Sequence, residues 1–384
     1  MAGSLEGNFK ELISPFLKEK LSYLVNRYGK DSREYQALAK QYIASSKETI
    51  INNDQTSRHY ESEVHIDYEG RQVVGIERLY RRTVLLEPTT VCAAHCRWCL
   101  RGNYPIKHLK EDDLRHAARY IGSEQLRNDV REVLITGGDP LISKDLLFKT
   151  LTQISIHASN IKVIRIGTRI PFHQPSLIDN SLLDIFKSFP GFRFEIGIHA
   201  NHPIDFWPES IDAIQQLQQL GIKFYNQHPL LKGVNDDFDT LVELYELLRE
   251  HDIEAHYLFH AIPLRGMEHH RTTLKKGLDL VHKLSSCGEF SGRAKPKYAV
   301  LSDIGKIVVY EDTIIKKDDN KNLLLLRSGF NINKRLKWNP SWQIPKSVEL
   351  KEDGSMLVWY VDGKDDLEYS PYEKAEELKV KLYS

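Results

Sequence analysis

Three cysteines close together in the chain are the residues of this sequence best suited to chemistry. Cys92, Cys96 and Cys99 form a C-x3-C-x2-C pattern, and the fourth cysteine, Cys287, stands far along the chain. Three thiolates on one loop can hold three irons of a [4Fe–4S] cubane and leave the fourth iron without a protein ligand. The spacing therefore predicts an iron–sulfur cluster with one open coordination position.

The spacing alone leaves two other interpretations of the cysteines open. A structural zinc site usually needs a fourth cysteine or histidine at a recognisable distance, and His95 lies inside the triplet, where a second ligand pair is not expected. A ferredoxin-type cluster needs a fourth thiolate, for which Cys287 is the remaining candidate. The β-rich run Val84–Leu86 just before the cysteines is the context that favours the cluster with the open iron.

The cysteine motif resembles that of radical S-adenosylmethionine (AdoMet) enzymes. In these enzymes the open iron is chelated by the amino and carboxylate groups of AdoMet, and an electron from the cluster splits the sulfonium to give a 5′-deoxyadenosyl radical. For this chain the resemblance implies a [4Fe–4S] cluster on the three cysteines, AdoMet as a second cofactor, and an electron donor of the flavodoxin or ferredoxin type.

Strand-like and helix-like segments alternate between Thr83 and Leu258, which is the pattern of a parallel sheet with helical crossovers. The predicted strands are Thr83–Glu87, Arg131–Thr136, Val163–Gly167, Phe192–Ile198, Ile222–Tyr225 and Ala255–Phe259. The predicted helices are Asp112–Tyr120, Ser143–Ile154, Ser176–Phe186, Ser210–Leu220 and Phe238–Arg249. Because polar candidates cluster where these strands end, we expect an α/β fold, a partial (β/α)6 TIM-like barrel of the radical AdoMet type.

Two further units are predicted to flank this barrel. Residues 1–78 are interpreted as an N-terminal helical arm or cap, because apolar residues recur there at helical spacing. Residues 79–265 form the partial barrel, and residues 266–384 form a C-terminal α+β closing domain. The predicted elements of the closing domain are the helix Thr272–Leu284, the strands Tyr298–Leu301, Ile307–Tyr310, Asn322–Leu326 and Met356–Val361, and a solvated hairpin or loop over 316–321.

Composition limits the classes of partner. Lysine plus arginine equal aspartate plus glutamate at 53 each, so no overall field attracts nucleic acid or an anionic membrane. No apolar run approaches the length of a membrane-spanning helix, and the first ten residues lack the apolar core of a signal peptide. We therefore expect a cytoplasmic protein that acts on a small molecule and has no nucleic-acid or membrane partner.

A closer resemblance, to the lysine 2,3-aminomutase family, extends from Tyr80 to Lys306. It rests on seven segments: Cys96–Arg101 (CRWCLR), Thr136–Pro140 (TGGDP), Ile164–Arg169 (IRIGTR), His199–Pro203 (HANHP), Asn226–Gln227 (NQ), Leu230–Asp236 (LLKGVND) and Glu268–Thr272 (EHHRT). A series of this kind does not arise by chance. The resemblance implies an isomerase that moves the α-amino group of a free amino acid to its β-carbon.

The same resemblance implies which residues contact AdoMet and the substrate carboxylate. The AdoMet residues are Gly137, Gly138, Asp139, Thr168, Arg169, His199 and Gln227. Glycines allow the backbone to approach a ligand closely, while an ordinary hydrogen-bonded strand end is the alternative for the polar members. Arg101 matches the family arginine that grips the substrate carboxylate through a forked, charge-assisted pair, and the alternative for it is a surface arginine.

Members of the family also carry pyridoxal 5′-phosphate (PLP) on a lysine, since a Schiff base provides a π-system through which the nitrogen can migrate. The resemblance places this lysine at Lys306, which follows Gly305 after a short strand. Tyr80, Arg82 and Asn226 are the residues implied to support PLP, although the usual arginine just before the strand is replaced by Thr83. A solvated lysine and a basic approach to the first strand are the alternatives.

The substrate pocket departs from the lysine-specific pattern. Those members hold the substrate ε-ammonium with two aspartates, and the similarity places Ile262 and Leu301 at the two positions, with Asp303 an alternative for the second. Loss of such a partner costs about 3–5 kcal/mol, so lysine is a poor candidate substrate. Arg265 and His260 could supply charge for an acidic substrate, whereas the two apolar residues suggest a neutral one. The amino acid stays open.

Two rival functions stay open at this stage. The first is a radical AdoMet enzyme that abstracts hydrogen or rearranges its substrate without PLP. The second is a non-enzymatic Fe–S or zinc-binding interaction protein. The oligomeric state is also open, a homo-oligomer included, because no cysteine follows Cys287 to build the family's C-terminal zinc site.

Overall fold

The computed structural model describes residues 10–49, 66–100, 107–264, 266–290, 295–340 and 342–365. Two predicted substrate-binding residues, Arg101 and Arg265, lie outside the described residues. No helix within the described ranges is long and apolar enough to cross a membrane.

Helices α1 (Pro15–Tyr28) and α2 (Arg33–Tyr42) form the N-terminal arm, followed by a 3-10 turn over Ser46–Thr49. The Ser14 hydroxyl caps α1 by accepting a hydrogen bond from the Leu17 N–H (3.2 Å). The apolar faces of the two helices share one core with Ala94 of the cysteine-bearing loop. The arm therefore forms part of the wall around that loop.

A nine-stranded main sheet, with its strands in chain order, organises the described part of the chain. A short hairpin, β1 (Asp67–Tyr68) and β2 (Arg71–Gln72), comes before it. The nine strands are β3 (Ile76–Glu77), β4 (Thr83–Thr89), β5 (Glu132–Gly137), β6 (Val163–Thr168), β7 (Arg193–Ile198), β8 (Lys223–Leu230), β9 (Ile253–His260), β10 (Lys297–Ser302) and β11 (Gly305–Val308). Strands β4 to β10 are parallel, whereas β3 and β11 run antiparallel to their neighbours.

Helices connect the parallel strands, as the alternating pattern predicted. They are α3 (Glu111–Ile121), α4 (Lys144–His157), α5 (Ile170–His173), α6 (Asn180–Lys187), α7 (Pro208–Gln218), α8 (Phe238–Glu250) and α9 (Leu274–Ser286). Short 3-10 turns lie at Pro140–Ile142, Pro175–Leu177, Pro203–Asp205 and Glu268–His270. The predicted α/β fold, a partial barrel of parallel strands and connecting helices, is confirmed.

The two faces of the main sheet differ in burial. Residues such as Val133, Ile135 and Ile164 are fully buried and share one core with the helices. The residues between them, such as Leu134 and Thr136, are only half-buried. We call this second surface the concave face. It is open to a ligand because helices pack on the opposite side.

Two strands assigned from the sequence to the closing domain lie in the main sheet instead. The segment Ile307–Tyr310 overlaps β11, which folds back on β10, and the segment Tyr298–Leu301 falls in β10 and becomes a seventh parallel strand. The reason is local packing, since a Cβ atom on Gly277 of α9 would lie 1.9 Å from the Tyr298 hydroxyl. Glycine in α9 therefore admits the tyrosine ring and lets this helix act as one more crossover.

A second, antiparallel sheet follows, and its strands lie in the order β12, β13, β15, β14. The elements are β12 (Ile314–Asp318), β13 (Leu323–Asn331), α10 (Ile332–Trp338), β14 (Val348–Leu350) and β15 (Ser355–Val361). Strands β12 and β13 form the hairpin predicted around 316–321. Buried Arg271 ties this sheet to the end of β9, because it donates to the carbonyls of Ala261 (2.9 Å), Val361 (2.6 Å) and Asp362 (3.0 Å).

Candidate active site

The cysteine loop begins where β4 ends, and Cys92, Cys96 and Cys99 are all half-buried on it. The arm clamps this loop, since the Arg97 N–H donates to the Gln41 carbonyl (3.0 Å). The fourth cysteine, Cys287, is engaged at the end of α9, where its thiol donates to a carbonyl of the same helix (3.4 Å). The three-thiol donor set fits a cluster with one open iron better than a four-thiolate cluster.

Gly137 and Gly138 bring the end of β5 against the backbone of the cysteine loop. A Cβ atom on Gly137 would lie 2.1 Å from the Thr89 carbonyl oxygen, and one on Gly138 would lie 2.2 Å from that of Val91. Gly137 also has a φ of +117°, which favours glycine. The N–H groups of Gly138 and Asp139 donate to those same two carbonyls, at 2.6 and 2.8 Å. These N–H groups therefore hold the cysteine loop rather than a ligand.

The Asp139 carboxylate is buried and ties the ends of β5 and β6 together. It accepts hydrogen bonds from the Thr168 hydroxyl (2.7 Å), the Arg169 N–H (2.7 Å) and the Leu141 N–H (3.1 Å). The Thr168 hydroxyl in turn accepts from the Ile170 N–H (3.0 Å). Burial raises the pKa of Asp139 to about 6, against these hydrogen bonds. Both side chains thus position the turn after β6.

Arg169 lies directly against the cysteine loop. Its Nη1 donates to the Sγ of Cys96 (3.0 Å), and its Nη2 donates to the Oε1 of Gln41 (3.1 Å). The carboxylate of Asp205 lies 3.7 Å from the same Nη2. The side chain is 6% exposed, so this guanidinium belongs to the buried wall behind the cysteines.

His199 and Gln227 are the predicted AdoMet residues whose side chains are half-buried at the carboxyl ends of strands. Burial, together with the charges of Arg169 and Lys306, lowers the pKa of His199 to about 3, so its imidazole is neutral. The Gln227 amide lies over the backbone of Gly197, where a Cβ atom would be 2.9 Å from its Nε2. His199 is therefore close enough to both Arg169 and Lys306 to feel their charges, and Gln227 of β8 packs against β7.

Two predicted PLP residues are not brought to Lys306. Asn226 is buried, and its amide both accepts from the Ala200 N–H (2.8 Å) and donates to the Ala200 carbonyl (3.0 Å). Arg82 is exposed, and its guanidinium donates to the carbonyls of Asn128 (3.3 Å) and Asp129 (3.1 Å). Asn226 thus shapes the turn after β7, and Arg82 binds the loop before β5.

The Lys306 amine lies on the concave face beside aromatic rings of β9. Its Nζ is 4.9 Å from the ring centre of Tyr257 and 5.5 Å from that of Phe259. Burial, helped by the charge of Arg165 and opposed by that of Glu132, lowers the pKa of Lys306 to about 8. The amine is consequently neutral over more of the physiological pH range than an ordinary lysine.

Tyr80 contacts the backbone of Lys306. The Lys306 N–H donates to the Tyr80 hydroxyl (3.0 Å), and Leu301 is the residue paired with Lys306 across the β10–β11 hairpin. Buried Arg335 donates to the Ile304 carbonyl at the tip of this hairpin (2.6 Å). These contacts fix the backbone from which the Lys306 side chain extends.

The two predicted sources of charge for the substrate pocket that the structure describes, Asp303 and His260, are hydrogen-bonded to other residues. Ile262 is half-buried in the turn after β9. The Asp303 carboxylate accepts a hydrogen bond from the Ser347 hydroxyl. His260 hydrogen-bonds the Tyr360 hydroxyl (2.8 Å), and burial lowers its pKa to about 3. His260 is thus a neutral link to the second sheet rather than a charge for a ligand.

Sequence reasoning missed an ion-pair network on the concave face. Arg165 of β6 lies between Glu132 of β5 (2.6 Å) and Glu195 of β7 (3.8 Å). The signal was present, because a charged residue between Ile164 and Ile166 must point away from the core. This network therefore places both positive and negative charges on the concave face beside Lys306.

Glu48, His269 and His270 place three potential ligand atoms within 4.8 Å of one another. The Glu48 carboxylate, however, is bonded by the buried Arg97 guanidinium, whose Nε donates to it at 2.8 Å. Burial, together with the charges of Lys47 and Arg97, lowers the pKa of His269 to about 3. A divalent cation would therefore sit among positive charges, which disfavours a metal site here.

Comparisons with known proteins agree with this site. The profile of the radical SAM superfamily, SAM being AdoMet, matches residues 86–248. The L-lysine 2,3-aminomutase of Methanococcus maripaludis is 31% identical over 323 residues, 82% of this chain and 70% of that protein. The enzyme of the same name from Clostridium subterminale is 27% identical over 278 residues, 72% of this chain and 66% of that protein. A solved radical SAM methyltransferase from Sphaerobacter thermophilus covers 60% of this chain and is itself covered to 69%, at 17% identity and a TM-score of 0.43, too low to bear on the fold.

The family interpretation of the cysteine motif and the seven segments is thereby confirmed, and with it a [4Fe–4S] cluster and AdoMet as the cofactors that this family implies. The chain belongs to the lysine 2,3-aminomutase family of the radical SAM superfamily.

Proposed function

We propose that this radical SAM enzyme is a PLP-dependent 2,3-aminomutase, which moves the α-amino group of a free amino acid to its β-carbon. The observation that carries the proposal is the state of Lys306. Its amine is half-buried on the concave face, and its pKa is lowered to about 8. A neutral lysine amine is the form that attacks an aldehyde, which is the reactive group of PLP.

The surroundings of Lys306 fit a flat aromatic cofactor. When bound, PLP supplies a π-system through which the migrating nitrogen can pass. Tyr257 and Phe259 offer ring surfaces on the side of Lys306, and the Tyr80 hydroxyl fixes its backbone. Arg165 is a cation close enough to act on the same amine.

Cys92, Cys96 and Cys99 would hold the cluster, with an electron donor of the flavodoxin or ferredoxin type. Bound to the cluster and reduced by one electron, AdoMet supplies the radical that abstracts hydrogen from the substrate. His199 and Gln227 would contact AdoMet, and Gly137 and Gly138 would support this contact by letting β5 pack against the cysteine loop. Asp139 and Thr168 support this contact by fixing the strand ends. Arg101 would bind the substrate carboxylate.

The described residues at the predicted side-chain positions of the pocket favour a substrate with an uncharged side chain. Leu301 lies opposite Lys306, Asp303 accepts from Ser347, and His260 is neutral. A substrate ammonium or carboxylate would therefore lack a counter-charge from these positions, which costs several kcal/mol for a buried charge.

Lys306→Ala tests the cofactor. Removal of the amine should abolish the PLP absorbance band above 400 nm and lower β-amino acid formation by at least about a thousandfold, a typical cost for an essential catalytic group. Lys297→Ala, at an exposed lysine of β10, is the matched control and should retain both. Turnover retained by Lys306→Ala with no PLP signal would instead favour radical chemistry without amino migration.

The substrate is sought by an anaerobic screen of the common amino acids with reduced, reconstituted protein, AdoMet and PLP. Mass spectrometry then detects β-amino acids and 5′-deoxyadenosine. We expect the strongest conversion among amino acids with uncharged side chains. Formation of 5′-deoxyadenosine without any β-amino acid would contradict the aminomutase proposal, and absence of both would contradict the radical enzyme itself.

A further inference from the structure

The guanidinium of Arg169 is held in one orientation by groups from several parts of the fold. Its centre lies 5.3 Å from the ring centres of both Tyr42 and Trp98. Its Nη1 donates to the Cys96 sulfur at 3.0 Å, and its Nη2 donates to the Oε1 of Gln41 at 3.1 Å. Rotation away from the sulfur would break these contacts together.

Gln41 of the arm is the centre of this arrangement and is fully buried. Its Oε1 accepts from Arg169 and also from the Nδ2 of Asn201 (2.9 Å). Its backbone carbonyl accepts from the N–H of Arg97, the residue directly after Cys96 (3.0 Å). One arm residue thus fixes both the cysteine loop and the cation that contacts the loop's sulfur.

The buried charge of Arg169 is only partly balanced. Asp205 lies 3.7 Å from Nη2, but its Oδ2 also accepts the N–H groups of Asn201 (2.7 Å) and His202 (3.2 Å). The Nε–H of Arg169 is buried and finds no hydrogen-bond partner within the part of the chain that the structure describes.

Such a cation has a defined effect on an iron–sulfur cluster. Reduction adds negative charge to the cluster and its thiolates, and a hydrogen bond or positive charge at a ligand sulfur stabilises that charge. Burial strengthens the effect, because water does not screen it. The negative charge of Asp205, next to Arg169, has the opposite effect and disfavours reduction of the cluster.

We propose that Arg169, held by Gln41, is a positioning residue that acts through the Cys96 sulfur and sets how readily the cluster accepts its electron. The inference rests on the cluster that the family implies and not on the proposed aminomutase reaction. Because the effect needs only the cluster, Arg169 should influence cluster reduction even before AdoMet binds.

The test is a redox titration of the anaerobically reconstituted full-length protein without AdoMet, followed by electron paramagnetic resonance and normalised to bound iron. Arg169→Gln should lower the ratio of reduced to oxidised cluster about tenfold at a fixed potential, which equals about 59 mV for one electron. Arg169→Lys, which keeps the positive charge, should show a smaller shift from the wild-type midpoint than Arg169→Gln. Gln41→Leu should shift the midpoint in the same direction, and Asp205→Asn should shift it the other way.

Gln36→Leu is the matched control, because Gln36 lies on the same helix and bonds only the Lys30 carbonyl (2.8 Å) among the hydrogen bonds resolved for its side chain. It should leave the midpoint unchanged. A wild-type midpoint in iron-replete Arg169→Gln would overturn the proposal and leave Arg169 as an AdoMet ligand at most. Should Arg169→Gln fail to retain iron, Asp205→Asn decides: a higher midpoint supports the proposal, and an unchanged one overturns it.

Discussion

At the scale of single residues, the charge of Lys306 depends on a few side chains of the concave face. Arg165 is held between Glu132 and Glu195, so its positive charge stays near the amine. Burial and this charge lower the pKa of Lys306, while Glu132 raises it. The balance of these contributions decides at which pH the lysine becomes a nucleophile.

The reaction of Lys306 with an aldehyde should therefore rise with pH and level off above about pH 8. Arg165→Gln removes a positive charge, which favours the ammonium form and moves this midpoint to higher pH. Glu132→Gln moves it to lower pH. The rate is measured by borohydride trapping of pyridoxal and mass spectrometry of the Lys306 peptide. Arg119→Gln, at an exposed ion pair on α3, should leave the profile unchanged. A midpoint pH that stays the same in both Arg165→Gln and Glu132→Gln would contradict this explanation.

Some residue roles could be anticipated from the sequence and others could not. The cysteine spacing directly indicates a cluster loop. Arg82 and Asn226, by contrast, were assigned to PLP from the resemblance but hydrogen-bond nearby backbone instead, because side-chain direction depends on local turn geometry. Gln41 gave no signal at all, since nothing in α2 shows which distant loop it meets.

At the scale of elements, the end of β5 and the cysteine loop form one packed unit. The glycines after Thr136 have no side chain because the loop's carbonyls occupy that space. The strands themselves were foreseeable from short β-rich runs that alternate with helix-like stretches. The place of β10 was not, because it depends on how Tyr298 fits against Gly277 of a neighbouring helix.

Gly138→Ala should disturb the cysteine loop more than the sheet. The added methyl would meet the Val91 carbonyl oxygen at 2.2 Å, so the loop has to move. We expect bound iron after reconstitution to fall at least about threefold, since a steric shift of this kind costs about 1–3 kcal/mol. Iron is measured against protein, with circular dichroism as a check on the fold. Gly191→Ala, where nothing lies within 4 Å, should retain its iron, and full iron in both variants would contradict the expectation.

At the scale of the whole molecule, the second sheet is joined to the main sheet through buried polar contacts. Arg271 pairs with Glu268 (3.2 Å) and donates to the backbone at the end of β15. Its environment was invisible in the sequence, where it is only one residue of the EHHRT segment. Contacts between distant segments are the part of the fold that local patterns do not encode.

Arg271→Met should lower the free energy of unfolding by about 3–5 kcal/mol, because it leaves the Glu268 carboxylate buried beside unpaired carbonyls. Chemical denaturation of the apo protein measures this change. Arg327→Met is the control, since the exposed side chain of this β13 residue makes a 3.6 Å ion pair with Asp312 at the surface, and its loss should cost less than about 1 kcal/mol. Equal losses for the two variants would show that Arg271 does not join the sheets.

The Tyr80 hydroxyl also bears on whether the main sheet can pair with another copy of the chain. Tyr80 precedes β4 at one side of the main sheet, and the N–H that it binds belongs to β11, the edge strand at the other side. An edge strand normally offers such groups to a second chain, which is how sheets of separate molecules stick together. At Lys306 the protein's own tyrosine already binds the backbone N–H of the edge strand, so this part of β11 does not offer that group to a second chain.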